Sequence, residues 1–432
     1  MNTRRSRPVH RCASVLLASL LFIAILSLVL ASYLGLSAAQ TVSVARSQAW
    51  NAAIAVAEAG VEESLAQLNA GIGIGALNLA ANGWEAKAGG NYGPLQPRYL
   101  GSNYYDVIIV PGTKPMICST GYTAAPFRSA PISRAVQVTT EYTRLFVSAM
   151  AAKEDIDFKG FNPTTDSFDS SQGPYGSTAP RDHGDVNTTS GFVNVGNAKL
   201  KGKARSGPNG GIVSGSNGSV GSSAWVDGGN TGIQPGWSAN DFNVEFPIVY
   251  APYSSGFSPQ PGTDGGTNYA YVLDGNKYMT SSLGLKSSDV MLVRGHATLY
   301  VTGDVLMQSK SQILILPGAS LDLYVGGDDL TSPTSAVLGQ INNQGTAQNF
   351  SYYGLPNNTS VSFGGNSAVN SVIYCPSAQF TLGGGGADTF DFQGSVMARS
   401  IKLNGHFNFH FDEDLAKNGP VRGYVATSWK EL

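Results

Sequence analysis

The feature that most constrains this chain is a long uncharged stretch near its start. No charged residue occurs between Arg11 and Arg46. Within that window, the 24 residues from Ala13 to Leu36 read ASVLLASLLFIAILSLVLASYLGL. A bilayer core of about 30 Å requires about 20 helical residues. The stretch therefore predicts a single membrane-spanning helix.

The charges before this stretch predict its orientation. Arg4, Arg5, Arg7 and Arg11 precede it without any acidic residue, so residues 1–11 are expected to form a cytoplasmic basic tip. The rest of the chain is then periplasmic or exposed at the cell surface. A cleaved signal peptide is the alternative, but its apolar core spans only about 7–15 residues. A mature protein beginning near Gln40 would indicate such a signal.

The apolar stretch continues into an amphipathic pattern. No proline occurs between Pro8 and Pro94, and a row of apolar residues recurs at steps of three or four, which is typical of one helix face. The row consists of Trp50, Ile54, Ala57, Val61, Leu65 and Leu68. Gly71, Gly73 and Gly75 are expected to end the helix. We predict a helical region over residues 12–70, about 85 Å long if unbroken; an anchor followed by a separate helix is the alternative.

The basic tip and the apolar stretch occur together with the motif AEAGVEE at 57–63. This combination resembles the N-terminal region of PilX-type minor pilins and related pseudopilins. The resemblance implies that the apolar helix enters a membrane or the core of a filament while the amphipathic half carries a head. Major pilins have a glutamate at the fifth position after their cleavage site, whereas Cys12–Phe22 contains no acidic residue. This difference favours a minor, tip-located or anchored role.

Residues 71–149 predict a small head with an antiparallel sheet. Three runs rich in β-branched and aromatic residues, separated by Gly, Pro and Ser, indicate strands. They are YYDVIIV at 104–110, MICST at 116–120 and AVQVTTEY at 135–142. Cys118 in this head and Cys375 are expected to be buried free thiols, since three cysteines in 432 residues do not form a disulfide scaffold.

The remainder, residues 150–432, is predicted to be a second, mainly β domain. Short apolar runs alternate with Gly and Asn, as in LDLYV at 321–325, and no long amphipathic helix is evident. Because stacked coils joined by tight turns need many glycines and few charges, we predict a right-handed parallel β-helix, a solenoid. The spacing shows no regular repeat, and a β-sandwich is the alternative.

This domain resembles bacterial surface or pilus-associated proteins of uncharacterised function that join a PilX-like start to a β-helix. The resemblance implies a location and no activity. Its motifs are GNAKL at 196–200, GIQPGW at 232–237, FNVEFP at 242–247 and NGHFNFH at 404–410.

The motif HFNFHFDED at 406–414 contains candidate metal ligands. In a strand, His406, His410 and Asp412 share one face, but His406 and His410 would lie about 13 Å apart. Two ligands from His410 and Asp412 fall short of the three or four of a zinc site. We therefore expect a final coil with the phenylalanines inward and the polar residues outward.

A polysaccharide-acting enzyme is the alternative function. Such β-helix hydrolases use clustered aspartates, a histidine and a basic group in a fixed order. In those hydrolases the acid pair precedes the Gly-His element, whereas here Asp328 and Asp329 follow Arg294 and His296, with Lys402 later. The sequence predicts no catalytic, cofactor-binding or metal-binding residue.

The charge and the tyrosines bear on partners. A net charge of −2 argues against a nucleic-acid partner. A group of tyrosines could form an exposed strip that binds polysaccharide or protein, or could anchor loops: Tyr175, Tyr250, Tyr253, Tyr352 and Tyr353. We expect a non-enzymatic surface protein whose partners are the inner membrane, other pilins or pseudopilins, and a polysaccharide or surface-protein ligand.

Overall fold

The computed structural model describes residues 12–70, 83–125, 130–160, 162–384 and 386–432. Its first element is one continuous helix, α1, Cys12–Ala70, of 59 residues. The prediction of a long N-terminal helix is confirmed. The basic tip and the glycines predicted to end the helix lie outside the described residues.

The two halves of α1 differ in their surroundings. Every large apolar side chain from Val15 to Leu36 is at least 55 % exposed. Among the described residues, α1 is the one helix long and apolar enough to cross a membrane. Its second half is instead packed in a core with the neighbouring sheet.

The buried face of α1 is rotated from the predicted one. Ala57, Val61 and Leu68 are buried as expected, but Trp50 is 49 % exposed, and Ile54 and Leu65 are only partly buried. The buried row begins with the small residues Ala49 and Ala53. Small side chains at the contact let the sheet approach the helix backbone, which moves the larger residues to its flanks.

The sheet beside α1 has seven strands in the order β1-β2-β4-β5-β6-β34, with β3 also paired to β4. The pairs β4–β5 and β5–β6 are antiparallel, which confirms the three predicted strands. In chain order β34 follows every other strand, yet it lies beside β6. The strands are β1 (Trp84–Ala86), β2 (Tyr92–Pro94), β3 (Arg98–Leu100), β4 (Asn103–Val110), β5 (Met116–Thr123), β6 (Ile132–Arg144) and β34 (Val421–Glu431).

Helix and sheet approach each other closely at Gly121 of β5. A Cβ atom there would lie 2.2 Å from the Ala53 carbonyl oxygen and 2.5 Å from the Ala57 nitrogen. Only glycine permits this distance, because real Cβ contacts are longer.

The chain divides into two compact units. Unit 1 comprises Met1–Leu68, Asn78–Glu141 and Tyr424–Leu432, and unit 2 comprises Asn69–Leu77 and Tyr142–Gly423. Unit 2 is built almost entirely from strands, most of them short.

The first part of unit 2 contains eleven short strands and a five-residue helix, α2 (Ser223–Asp227). The strands are β7 (Met150–Ala152), β8 (Ile156–Phe158), β9 (Thr164–Phe168), β10 (Val186–Thr188), β11 (Phe192–Gly196), β12 (Lys199–Lys201), β13 (Ala204–Arg205), β14 (Gly211–Ser214), β15 (Ser219–Gly221), β16 (Gly232–Ile233) and β17 (Ser238–Ala239).

The second part of unit 2 ends with a four-residue helix, α3 (Leu415–Asn418). Its strands are β18 (Gln260–Asp264), β19 (Thr267–Leu273), β20 (Lys277–Thr280), β21 (Leu283–Leu285), β22 (Val290–Val293), β23 (His296–Val301), β24 (Val305–Met307), β25 (Gln312–Ile315), β26 (Ser320–Val325), β27 (Thr334–Leu338), β28 (Gln340–Asn343), β29 (Phe350–Gly354), β30 (Asn358–Gly365), β31 (Val369–Gly384), β32 (Phe390–Leu403) and β33 (Phe407–Asp412).

The strands of unit 2 pair in parallel between successive groups of strands. We call each group a turn: β7–β9 form the first turn and β10–β12 the second. Strands β7, β8 and β9 pair with β10, β11 and β12 respectively, and β23 and β24 pair with β26 and β27. Among the described strand pairs of this unit, only β18–β19 is antiparallel. A β-sandwich requires antiparallel sheets, so the pairing does not match that alternative.

The order of stacking differs from the order of the chain. Strands β7 and β8 also pair with β32, and β9 pairs with β33. The first turn of unit 2 thus lies between the second turn and the last one. From β7–β9, the strands up to β17 stack on one side. The strands after β17 stack toward the other side, and the last of them, β32 and β33, pair with β7–β9.

A continuous row of buried side chains crosses this junction. Successive parallel partners along the row are Leu299, Leu323, Tyr352, Ile373, Val396, Met150, Val186 and Ala204. All of them are buried. Burying each large aliphatic side chain stabilises the fold by about 1.5–3 kcal/mol, so the hydrophobic core extends through the join.

Candidate functional site

A buried histidine lies where the last turn of unit 2 meets the first. Strand β33 positions His410, β9 positions Asp166 and β32 positions Asp391. The Nδ1 atom of His410 lies 2.5 Å from the Asp166 carboxylate, and its Nε2 atom lies 3.1 Å from that of Asp391. Tyr175 stacks on the imidazole at 3.7 Å between centroids and donates a hydrogen bond to Asp166. We call these four residues the histidine clasp.

The electrostatics of the histidine clasp favour a protonated imidazole. Burial opposes the charge, but the hydrogen bonds to Asp166 and Asp391 outweigh it and raise the pKa of His410. The hydrogen bond from His410 in turn lowers the pKa of Asp391. Both ring nitrogens are engaged by carboxylates, so neither is available as a metal ligand or general base.

The phenylalanines of this motif, at 407, 409 and 411, are buried in the core as expected, but two polar residues on the opposite side are not exposed. His410 and Asp412 are 2 % and 1 % exposed, because the segment that contains Tyr175 covers this side of β33. Asp412 accepts hydrogen bonds from the backbone of Ser170 and Asp414. Within the described ranges, no group of three or more His, Cys, Asp or Glu residues could hold a metal ion.

Three of the candidate hydrolase residues, Arg294, His296 and Asp329, have separate local partners. Arg294 pairs with Asp264 and Asp274, and His296 contacts the Ser320 hydroxyl. Asp329 accepts hydrogen bonds from the neighbouring residues 331 and 332. These contacts do not join the candidate residues into one group, and the expectation that the chain is not an enzyme stays a prediction.

A row of tyrosines follows an outward-facing side of unit 2. Tyr300, Tyr324, Tyr353 and Tyr374 are successive parallel partners on β23, β26, β29 and β31. The rings of Tyr324 and Tyr353 stack with centroids 4.7 Å apart. Cross-strand aromatic pairs of this kind stabilise adjacent strands.

The segment 240–259, which links β17 to β18, lies against this row. We call it the strap. Its Phe246 and Val249 are buried, and the Tyr374 hydroxyl donates to the Pro247 carbonyl at 2.6 Å. The Tyr253 hydroxyl shares its hydrogen between the backbone carbonyls of Tyr278 and Thr298, and its ring contacts Tyr300 edge to face. The strap is therefore held largely by aromatic side chains, and near its end by a parallel backbone bridge between Phe257 and Tyr278.

A pocket of about 270 Å³ lies between the strap and the row of tyrosines. Tyr324, Tyr353 and Tyr374 form one wall, and strap residues 247–250 form the other. Leu145 and residues 420–422 complete it, and Arg422 is the one charged side chain among the lining residues. Burial raises the pKa of all three wall tyrosines, which keeps them neutral.

The structure divides the five predicted tyrosines among different roles. Tyr250 and Tyr353 line the pocket, whereas Tyr253 anchors the strap and Tyr175 covers His410. Tyr352 lies in the core and donates to Asn358.

The sequence did not indicate Tyr324, Tyr374 or Arg422 as pocket residues. Paired tyrosines of the row are 24, 29 and 21 positions apart in turn. This irregular spacing leaves no period to detect.

A polar contact fixes α1 to its sheet within unit 1. The Glu63 carboxylate accepts hydrogen bonds from Trp84 Nε1 at 2.9 Å and from the Tyr105 hydroxyl at 2.7 Å. Arg98 also pairs with it, at 3.0 Å. Glu63 belongs to the motif that carries the pilin resemblance, and its partners come from β1, β3 and β4.

Comparisons with known proteins cover the chain unevenly. Residues 258–418 match a family model described as a domain of unknown function (DUF7305). This region runs from the end of the strap to α3, the part of unit 2 that builds back toward β7–β9. Comparison with curated proteins finds no match.

Among solved structures, the chain is similar to the competence-associated pilin ComZ from Thermus thermophilus. The sequences are 11 % identical over 88 % of this chain and 96 % of that chain, with a TM-score of 0.25. A TM-score this low is too weak to assign the fold, the family or the function.

Proposed function

We propose that this chain is a membrane-anchored or type IV pilus-associated, minor pilin-like surface protein that displays unit 2 as a binding module. The observation that carries the proposal is the contrast within α1. Its first half exposes a continuous apolar surface, and its second half packs on an antiparallel sheet. An exposed apolar surface of this length is stable only in lipid or against other apolar helices.

We further infer that unit 2 is a right-handed parallel β-helix. The parallel pairing of successive turns and the continuous buried row through them support this inference. In such a fold each turn satisfies the backbone hydrogen bonds of its neighbours, which yields a rigid body that can carry a binding surface.

The proposed partners follow from α1. The four arginines before it favour a cytoplasmic N-terminus, which would place the sheet of unit 1 and all of unit 2 outside the inner membrane. The exposed half of α1 would contact lipid, or the corresponding helices of other pilins or pseudopilins.

A matched pair of variants tests the anchor. Leu26 lies in the exposed apolar half; an arginine at the centre of a spanning helix costs about 2.5–3.5 kcal/mol, whereas methionine is tolerated. After carbonate washing of membranes, the wild-type chain and Leu26→Met should stay in the membrane fraction, and Leu26→Arg should be depleted. Equal retention of both variants, or a mature protein beginning near Gln40, would overturn the anchor.

Two further measurements test the location. Protease added to intact or outer-membrane-permeabilised cells should digest the units outside the inner membrane while a cytoplasmic control protein survives. Recovery of the chain with sheared pili would favour the filament over the anchor. Full protection from protease would contradict the orientation.

The polysaccharide-acting enzyme is tested separately. The full-length chain in detergent is incubated with a panel of polysaccharides, and both binding and reducing ends are measured. We expect binding without new reducing ends, because Arg294, His296 and Asp329 have separate local partners. Turnover would overturn the non-enzymatic proposal.

A further inference from the structure

We propose that the pocket between the strap and the row of tyrosines binds an acidic sugar unit, such as a uronic acid within a polysaccharide. Arg422 would pair with the sugar carboxylate, and Tyr324 and Tyr353 would contact the sugar ring. The proposal deepens the binding role proposed above and rests on it only for the location of the protein.

The cation in the pocket points to an anionic ligand. Within the described part of the chain, no carboxylate pairs with Arg422, whereas Arg98, Arg134 and Arg294 all have acidic partners. A guanidinium recognises a carboxylate through two parallel hydrogen bonds. A half-buried arginine beside aromatic rings is therefore suited to an acid that arrives with the ligand.

The wall opposite the strap points to a ring-shaped ligand with apolar faces. Tyr324 and Tyr353 are stacked and only partly buried, so they offer apolar surface together with phenol groups. Pyranose rings present C–H groups on their faces and hydroxyls at their edges, which match these two features. An acidic peptide would also pair with Arg422, but its side chains would cover less of the Tyr324 and Tyr353 rings.

The size and rim of the pocket favour one unit of a longer chain. Its volume of about 270 Å³ lies below the roughly 300–1,000 Å³ of sites for drug-sized ligands. The strap residues Ile248 and Tyr250 are 60 % and 54 % exposed at its rim. One sugar unit of a polymer can therefore occupy the pocket while the adjacent sugar units lie along the strap.

The test compares acidic and neutral polymers with the purified full-length chain in detergent. Calorimetry measures binding of oligogalacturonate, neutral cello-oligosaccharides and poly-glutamate. We expect oligogalacturonate to bind, and Arg422→Gln to weaken this binding about tenfold or more, because a charge-assisted pair is lost. Lys199→Gln, which removes a positive charge from an exposed side chain of β12, should leave the affinity within about twofold.

A second variant addresses the aromatic contribution. Tyr250→Ala changes an exposed residue of the strap and should reduce affinity several-fold while the circular dichroism spectrum is unchanged. Equal affinity for acidic and neutral saccharides, an unchanged affinity in Arg422→Gln, or no saccharide binding would overturn the proposal. Binding of poly-glutamate that depends on Arg422 without oligogalacturonate binding would assign the pocket to an acidic peptide. None of these outcomes depends on where the protein resides in the cell.

Discussion

Each of the two units of this chain is stabilised internally in a different way. In unit 1, a helix lies on antiparallel strands at a distance that glycine and alanine allow, as at Gly121 and Ala53. In unit 2, the first and last turns meet through His410, Asp166 and Asp391, which are far apart in sequence. Ala53 and Gly121 lie 68 positions apart, whereas His410 and Asp166 lie 244 positions apart. A join between distant segments also needs a partner-specific contact to set its register.

The largest expected effect is at the join in unit 2. His410→Leu leaves the buried Asp166 carboxylate without its charged partner, which should destabilise unit 2 by about 3–5 kcal/mol. His296→Gln changes an exposed histidine and should cost less than about 0.5 kcal/mol. Hydrogen exchange of peptides from each unit measures the loss, and equal protection in the two variants would contradict the role of the histidine clasp.

The next effect concerns the close approach in unit 1. Gly121→Ala forces a Cβ atom against the backbone of α1, and overpacking of this kind costs about 1–3 kcal/mol. Gly112→Ala is the control, since its nearest atom would lie 3.9 Å away. Exchange should increase in peptides of α1 and β5 for Gly121→Ala alone. Equal hydrogen exchange in the two variants would show that α1 and β5 are not in close contact at Gly121.

A smaller effect is expected at the polar contact of unit 1. Glu63→Gln removes the charge that accepts from Trp84, Tyr105 and Arg98, at a cost of about 1–2 kcal/mol. Glu62→Gln changes an exposed neighbour and serves as the matched control. Thermal unfolding of unit 1, followed by hydrogen exchange of peptides from α1 and β1, reports the difference. A similar shift in both variants would show that helix propensity alone is involved.

The smallest effect is a dependence of stability on pH. The pKa of His410 is raised above 6.5 in the folded protein, so its contribution is complete below pH 6.5 and is lost as pH rises through the folded pKa. We expect unit 2 to lose stability in this window, and His410→Leu to abolish the dependence. Unit 1 has no histidine among its described residues. Its hydrogen exchange, once corrected for the effect of pH on the intrinsic exchange rates, should therefore not change with pH in the same way.

Local patterns predicted much of unit 1. The absence of charge and proline predicted α1, and the β-rich runs predicted β4, β5 and β6 in antiparallel order. The rotation of the buried face was not predictable, because apolar periodicity favours Trp50 and Ile54 over the small Ala49 and Ala53. The distance between α1 and the sheet decides which of these residues are buried, and the apolar pattern of the helix does not specify that distance.

The candidate sites were less predictable. The motif around His410 indicated a strand, but its acidic partners Asp166 and Asp391 come from other strands. Arg422 and the row of tyrosines are likewise assembled from separate turns. Side-chain alternation specifies which residues share a face, and it does not specify which turn lies beside another.

The sequence by itself determined a long apolar helix, a small antiparallel head and a glycine-rich region of short strands, because these depend on periodicity and composition over short spans. Only the tertiary structure decided that β34 lies beside β6, that unit 2 begins in the middle of its own stack, and that the strap crosses the tyrosines. These arrangements depend on pairing between distant segments. Backbone hydrogen bonds are alike in every parallel pair, so the buried side chains that meet across each pair select the partner.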